Sequence, residues 1–422
     1  MQEEFLHYLW VNKKLPFTQL KTHLNENLEI NHFGQYLQNA GPDIFNAQIS
    51  INQQKWAGNI EIHIKSSDWY VHHHENDANY DNVILHVVWE NDSPIFRKDN
   101  SEIPTLELKS YVSLSEINKY ISLVTSKSWI NCENQIAATD DFIWNNWLES
   151  LFLNRLEKKS ELIDTRLEET NYNWEAVFFE MLTKNFGLNT NGDCFLQVAQ
   201  AIPFSIIRKE SFNPENLEAL FFGKLNMLEE NVEDEYFLKL QKNWNFLKNK
   251  YNLQEEYGLQ PQFFKLRPDN FPTIRLSQLI HLISTKKNLF SQIILTDSYS
   301  EIKQLLQSET SDYWKSHYNF SKKSKPKSKF LTDQFIDLII INTIVPIKFS
   351  YVKNLGKLNV EELILLLEAI PSEKNSIIDK FSEFKVKSTN AFQSQALLEL
   401  KNEYCAKNKC LKCAVGLQLL KN

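Results

Sequence analysis

Apolar positions change their spacing near residue 130 of this chain. Before that point they alternate with polar residues in short runs, the period of two that marks strands. After it they recur every three or four residues, as on the buried face of a helix. A first helix is predicted over Glu3–Val11, and six runs read as strands: Thr18–Leu24, Leu28–Phe33, Ile44–Ile51, Trp56–Lys65, Val83–Trp89 and Thr105–Leu108. Asn, Gly, Pro and Asp separate them. The segment SSDWYVHHHENDANYDN, between Lys65 and Val83, has the length of the crossover of roughly a dozen or more residues that joins parallel strands. The pattern predicts an α/β domain of αβββαβ order over residues 1–130.

Beyond it, the run DFIWNNWLESLFLNRLEKKSELIDTRLEE sets Trp144, Leu148, Leu151, Leu156, Ile163 and Leu167 near helical spacing. Further helical patterns include Asn173–Asn185, Asp234–Tyr251, Thr273–Ser284, Thr332–Asn342 and Ser394–Lys401, so residues 131–422 read as an all-α region. Composition agrees: 422 residues with 42% hydrophobic are too many for one small domain and too apolar for disorder. Only nine glycines occur, without a Walker or dinucleotide fingerprint. Lys and Arg number 46 against 53 Asp and Glu, a net −7, so a surface for nucleic acid must be local. Without a signal peptide's basic start or an uninterrupted apolar stretch of about 20 residues, the expectation is a cytoplasmic protein with no membrane partner. The basic run Lys322–Lys329 reads as a solvated loop, and Arg267, Asn270 and Arg275 as the brace of a Pro-flanked loop.

Candidate chemistry starts at Gly41-Pro42-Asp43, a turn before a strand. In the next strand Ile60, Ile62 and Ile64 alternate with Asn59, Glu61, His63 and Lys65, which places the polar set on one face. If the two strands are hairpin neighbours, Asp43 approaches Glu61. Two carboxylates that close repel unless a hard cation lies between them, which suits Mg²⁺ or Mn²⁺. Glu3 and Glu4 on the first helix are further acidic candidates. Five of ten histidines fall between His63 and His86, including His72, His73 and His74, and imidazole suits Zn²⁺ or Mn²⁺.

This arrangement resembles the PD-(D/E)XK nuclease superfamily, with an acid after a proline and then acid-x-lysine on the next strand. Pro42-Asp43 and Glu61 match. His63 stands where the lysine belongs, and Lys65 comes two residues later. The resemblance implies a restriction-endonuclease-like αβββαβ sheet, a divalent cation on Asp43 and Glu61, a nucleic-acid substrate, and a larger role for Lys65 than for His63 in activating water.

The second constellation is Cys405-x4-Cys410-x2-Cys413, whose thiolates suit Zn²⁺ or an Fe–S cluster. A fourth ligand is needed. Cys132 is the better candidate, because Cys194 opens an apolar helical stretch where a buried thiol is common. Some nucleases related to the PD-(D/E)XK group hold an Fe–S cluster with one distant cysteine and a C-terminal cysteine group, a similar distribution. The chain as a whole also resembles an uncharacterised family of bacterial proteins sharing the AGPD, GNIEIH, NVILHVVW, LRPDNFPTIRL and KCLKCAVG blocks. The leading expectation is a metal-dependent nuclease acting on DNA or RNA. The alternatives are a non-catalytic nucleic-acid- or protein-binding module on a degenerate nuclease fold, and then a small-molecule metalloenzyme built on the histidines.

Overall fold

The alternating run from Ile44 to Lys65 folds as two long antiparallel strands, covered on both faces over Gly58–His63 and exposed over Gln54–Ala57. The computed structural model describes residues 2–16, 19–36, 41–124, 128–230, 232–254, 260–357 and 359–421. The chain divides into two compact units, Met1–Trp147 with Phe384–Val386 and Leu400–Asn422, and Leu148–Glu383 with Lys387–Glu399.

The first unit opens with helix α1 (Glu3–Val11), followed by strands β1 (Leu20–Lys21), β2 (Asn27–His32), β3 (Gln35–Tyr36), β4 (Ile44–Ile51) and β5 (Gln54–Lys65). Of the strand expected from Thr18, Thr18 itself lies outside the described residues. A short helix α2 (Asp68–Val71) and two single turns lead to β6 (Val83–Glu90) and β7 (Thr105–Glu107), then helix α3 (Leu114–Val124). The mixed sheet has the order β1-β2-β4-β5-β6-β7, with β3 also on β4. Pairs up to β5 are antiparallel, while β5–β6 and β6–β7 are parallel.

β5 is the central strand, and from Gly58 to His63 every residue is buried. Ile60 and Ile62 pack on one face, leaving Glu61 and His63 buried on the other. α1 packs against β5 with Phe5 to Trp10 all buried. β4 carries a bulge: Ile44 pairs Ile60 but Ala47 pairs Gly58, so Phe45 and Asn46 together oppose Asn59. Asn46 takes the left-handed conformation, φ 56°, and donates its N–H to Asn59 Oδ1 at 3.2 Å. The extra residue returns Ile44 to the buried face of Ala47 and Ile49, and so turns Asp43 toward the face of Glu61.

The C-terminal segment folds with this first unit. A π-turn over Leu400–Cys405 and a turn at Cys410–Lys412 lead into the helix Ala414–Lys421, which packs on α3.

The second unit is helical apart from the short hairpin His317–Asn319 with Lys322–Lys323. Most of helix α4 (Asp141–Glu169) lies in it and buries Leu148, Leu151, Leu156, Ile163 and Leu167, as the periodicity predicts. One helical run, Asp333–Asn354, has the length and mean hydropathy, 1.6, of a membrane span, but most of it is buried within the unit, as in a core helix. The basic run is not wholly solvated. Lys329 is buried and its ammonium donates to the carbonyls of Lys315 (3.0 Å), His317 (3.3 Å) and Trp314. Arg275 does brace its loop, donating to Asn270 and Gln278 and stacking on Phe335.

Candidate metal centre

Register alone brings the two carboxylates together. Ile44 faces Ile60, so the next residues outward, Asp43 and Glu61, meet on the opposite face. Asp43 donates its N–H to Glu61 Oε2 at 3.1 Å, and Ile62 donates its N–H to Asp43 Oδ2 at 3.0 Å. Each carboxylate is thus anchored by the backbone of the other strand. α1 adds two groups one turn apart: His7 Nε2 lies 3.2 Å from Asp43 Oδ2 and 3.8 Å from Glu3 Oε1, while His7 Nδ1 meets the Tyr36 hydroxyl at 3.1 Å. Glu4 is not part of this cluster but lines a cleft together with His7, Tyr36 and Lys412.

Three carboxylates in one half-buried cluster repel. Burial, with Asp43 next, pushes Glu3 from the usual 4.5 to about 7. Burial also raises Glu61, with Asp43 adding to it. For His7 burial acts downward, but Asp43 and Glu3 hold it above its ordinary value.

A raised carboxyl binds its proton more tightly in the folded state, so between about 4.5 and 7 stability falls as pH rises. The Glu3→Gln variant, stripped of metal with EDTA, should therefore gain thermal stability relative to wild type as pH rises through that window. Melting curves at pH 4.5 and 7.5 check this. A constant difference would mean that Glu3 carries no excess proton.

Imidazoles surround the other oxygen of Glu61. His63 Nε2 and His74 Nε2 each lie 3.4 Å from Glu61 Oε1, and His72 Nδ1 lies 3.1 Å from His63 Nε2. His63 Nδ1 pairs with His86 Nε2 at 2.9 Å. Burial, then the neighbouring imidazoles, lowers His63 to about 2; burial and His74 lower His86 to about 3. Both are neutral near pH 7, the state in which imidazole ligates metal. His7 Nε2 and His74 Nε2 each face a carboxylate of this cluster, Asp43 and Glu61, and a cation bound between them would take ligands from the same groups.

Among the described residues, two donor groups have all their ligand atoms within 4.8 Å of one another: Glu3, His7 and Asp43, and His63, His72 and His74. Lys65 is exposed at the end of β5, its N–H donated to Asp68 Oδ2 at 2.9 Å. Four residues of strand at ~3.3 Å each separate its Cα from that of Glu61 by about 13 Å. The sequence reading missed His7, for which, on a helix buried all round, no signal was available; His86 it counted among the five clustered histidines without giving it a separate role.

The four expected cysteines line one small cavity with Leu123, Asn131 and Gly416, and all are thiols without a disulfide. Asn131 Nδ2 donates to Cys410 Sγ at 3.4 Å, and the N–H groups of Val415 and Gly416 donate to the sulfur of Cys413. A Cβ on Gly416 would collide with the Cys410 carbonyl oxygen, so glycine is what allows the last helix to start so close. Burial, with the other cysteines next, pushes Cys132 up to about 12, and burial is the main cause of about 11 at Cys413. Cys132 and Cys413 are buried and Cys405 and Cys410 partly so, and thiols gathered round one cavity in this way fit a metal centre, which deprotonates them. Cys194 is half-buried in the second unit and belongs to no such group.

No curated protein and no solved structure matches the chain. A family model described as a protein of unknown function (DUF2851) matches residues 3–376.

Proposed function

The chain belongs to that family of unknown function, and from its site we propose that the first unit is a metal-dependent phosphodiesterase acting on nucleic acid. The observation that carries this reading is the pairing of Asp43 with Glu61 across two central strands, each held by the other's backbone, with His7 Nε2 3.2 Å from Asp43 Oδ2. Helix α1, the antiparallel strands β1–β5 and a crossover to the parallel strand β6 are the features that support a restriction-endonuclease-like fold, with more strands before the crossover than the αβββαβ order has. Asp43 and Glu61, with Glu3 and His7 beside them, would hold Mg²⁺ or Mn²⁺. A dication there supplies Lewis-acid stabilisation of a phosphoryl oxygen and a more acidic bound water.

The protein's own groups orient and exclude. A cleft of about 260 Å³ is lined by His7 and Tyr36 on one side and by Leu411 and Lys412 on the other. Lys412 sits between two of the cysteines and is exposed, a local cation where a phosphate backbone passes. The cysteine centre, binding Zn²⁺ or an Fe–S cluster, would fix that loop at the cleft. Incubating the protein with labelled DNA and RNA in Mg²⁺ or Mn²⁺ should give cleavage. Binding without cleavage would favour a non-catalytic module, the reading supported by His63 in the place of a lysine.

Lys65 stands exposed four residues beyond Glu61 at the end of β5, whereas His63 is buried beside that carboxylate. Lys65→Ala should leave the cleavage rate within about twofold of wild type, whereas His63→Ala should lower it on the order of tenfold to a hundredfold. Measured rates in the reverse order would restore Lys65 to the catalytic position.

A further inference from the structure

We infer that His63, His72 and His74, together with Glu61, form a second, nitrogen-rich metal position that takes a borderline transition-metal dication such as Zn²⁺, Fe²⁺ or Co²⁺. It deepens the reading of the site in one respect only: Glu61 becomes shared between two cations of different chemistry, its Oε2 on the Asp43 side and its Oε1 on the histidine side.

The chain builds this position from local pieces. His63 comes from the buried face of β5, and His86 of the parallel neighbour β6 takes its Nδ1, which leaves Nε2 aimed at Glu61. That pairing fixes which nitrogen is free for a metal. The other two histidines come from the crossover. Ser66 Oγ, Ser67 N–H and Ser67 Oγ all donate to the Asp92 carboxylate, at 3.0, 2.9 and 2.8 Å, and pin the start of α2. His73 then adopts the left-handed conformation, φ 59° and ψ 30°, and this reversal lets His72 and His74 both turn back toward His63 while His73 itself stays exposed. The ring of His74 is stacked on Tyr80 at 3.8 Å and lies parallel to His63 at 5.3 Å, with Trp69 packed edge-on.

Three imidazoles, their nitrogens within 4.8 Å of one another, and one carboxylate match what borderline dications prefer and what Mg²⁺ does not. The contacts already present, His72 Nδ1 on His63 Nε2 at 3.1 Å and His63 and His74 Nε2 each 3.4 Å from Glu61 Oε1, gather these donors where a cation would take them as ligands. His72 is exposed. The position is therefore open to solvent on that side, as a site that admits water or a substrate oxygen must be.

The test uses the full-length protein, stripped of metal and titrated with Co²⁺ in the absence of nucleic acid. Bound metal is counted after dialysis, and visible absorption reports the ligand field. Wild type should bind about one equivalent more than His72→Ala/His74→Ala, and that equivalent should lack the near-ultraviolet thiolate band of the cysteine centre. Asp43→Asn and His73→Ala should keep it. His72 is exposed but His74 is packed against Tyr80 and Trp69, so far-UV circular dichroism checks that the double variant folds; His72→Ala alone, at an exposed position, serves if it does not. Equal metal content and equal spectra in wild type and folded variant would overturn the inference. A protein that binds the ion here but cleaves no nucleic acid leaves this position standing and removes the phosphodiesterase reading.

Discussion

Asp43→Asn and Glu61→Gln should each reduce Mg²⁺-dependent cleavage by about a thousandfold, the equivalent of ~4 kcal/mol of transition-state stabilisation. Amides are the informative choice. An amide oxygen at position 43 can still accept from the Ile62 N–H, and one at position 61 from the Asp43 N–H, so the strand pairing survives while the charge is lost. Melting temperatures should accordingly stay within a few degrees of wild type, and the stabilisation that Mg²⁺ confers on wild type should vanish. Cleavage that persists in either variant would move the cation, and the reaction, elsewhere in the chain.

The second large effect concerns stability. Cys132→Ser or Cys413→Ser should lower the melting temperature by about 6–12 °C, corresponding to on the order of 3 kcal/mol, because metal binding to a preformed thiol set is folding energy. Chelator-treated wild type should melt like the variants, and Cys194→Ser like untreated wild type. Brown protein with visible absorbance identifies an Fe–S cluster, and colourless protein with stoichiometric zinc the mononuclear case. Absence of both metals after anaerobic purification, with an unchanged melting temperature in the variants, would leave the cysteines a purely packed cluster.

The strands that carry the site were legible because burial imposed a strict period on them. Ile44, Ile49 and Ile51, and then Ile60, Ile62 and Ile64, mark the two faces without help from the rest of the fold. The bulge at Asn46 was not legible, since Phe45 and Asn46 simply look like a break in the alternation. The helix α3 escaped notice because only Tyr120 and Leu123 of its eleven residues are buried. At the site, sequence proximity found Asp43, Glu61 and His63, which one hairpin unites. It placed Lys65 beside them on the correct reasoning that it shares a face; how far that face extends past the buried part of β5 is decided by the neighbouring elements. His7 and His86 join through tertiary packing that no local period encodes. Cysteine spacing, by contrast, marked the tail and Cys132 directly, because thiols are too scarce in this chain for their grouping to be diluted.

The first unit is discontinuous in sequence, and this has a consequence for synthesis. Its sheet emerges from the ribosome first, but Leu400–Asn422, which supplies three of the four cysteines and the helix against α3, follows more than 250 residues after Trp147. At about 5–20 residues per second the sheet waits on the order of tens of seconds for its last pieces. During that interval the surface of α3 that receives the tail is uncovered and Cys132 stands without its three partners. If the cysteines bind a metal as proposed, its loading would be a late event in the life of the nascent chain, after the second unit has had time to fold.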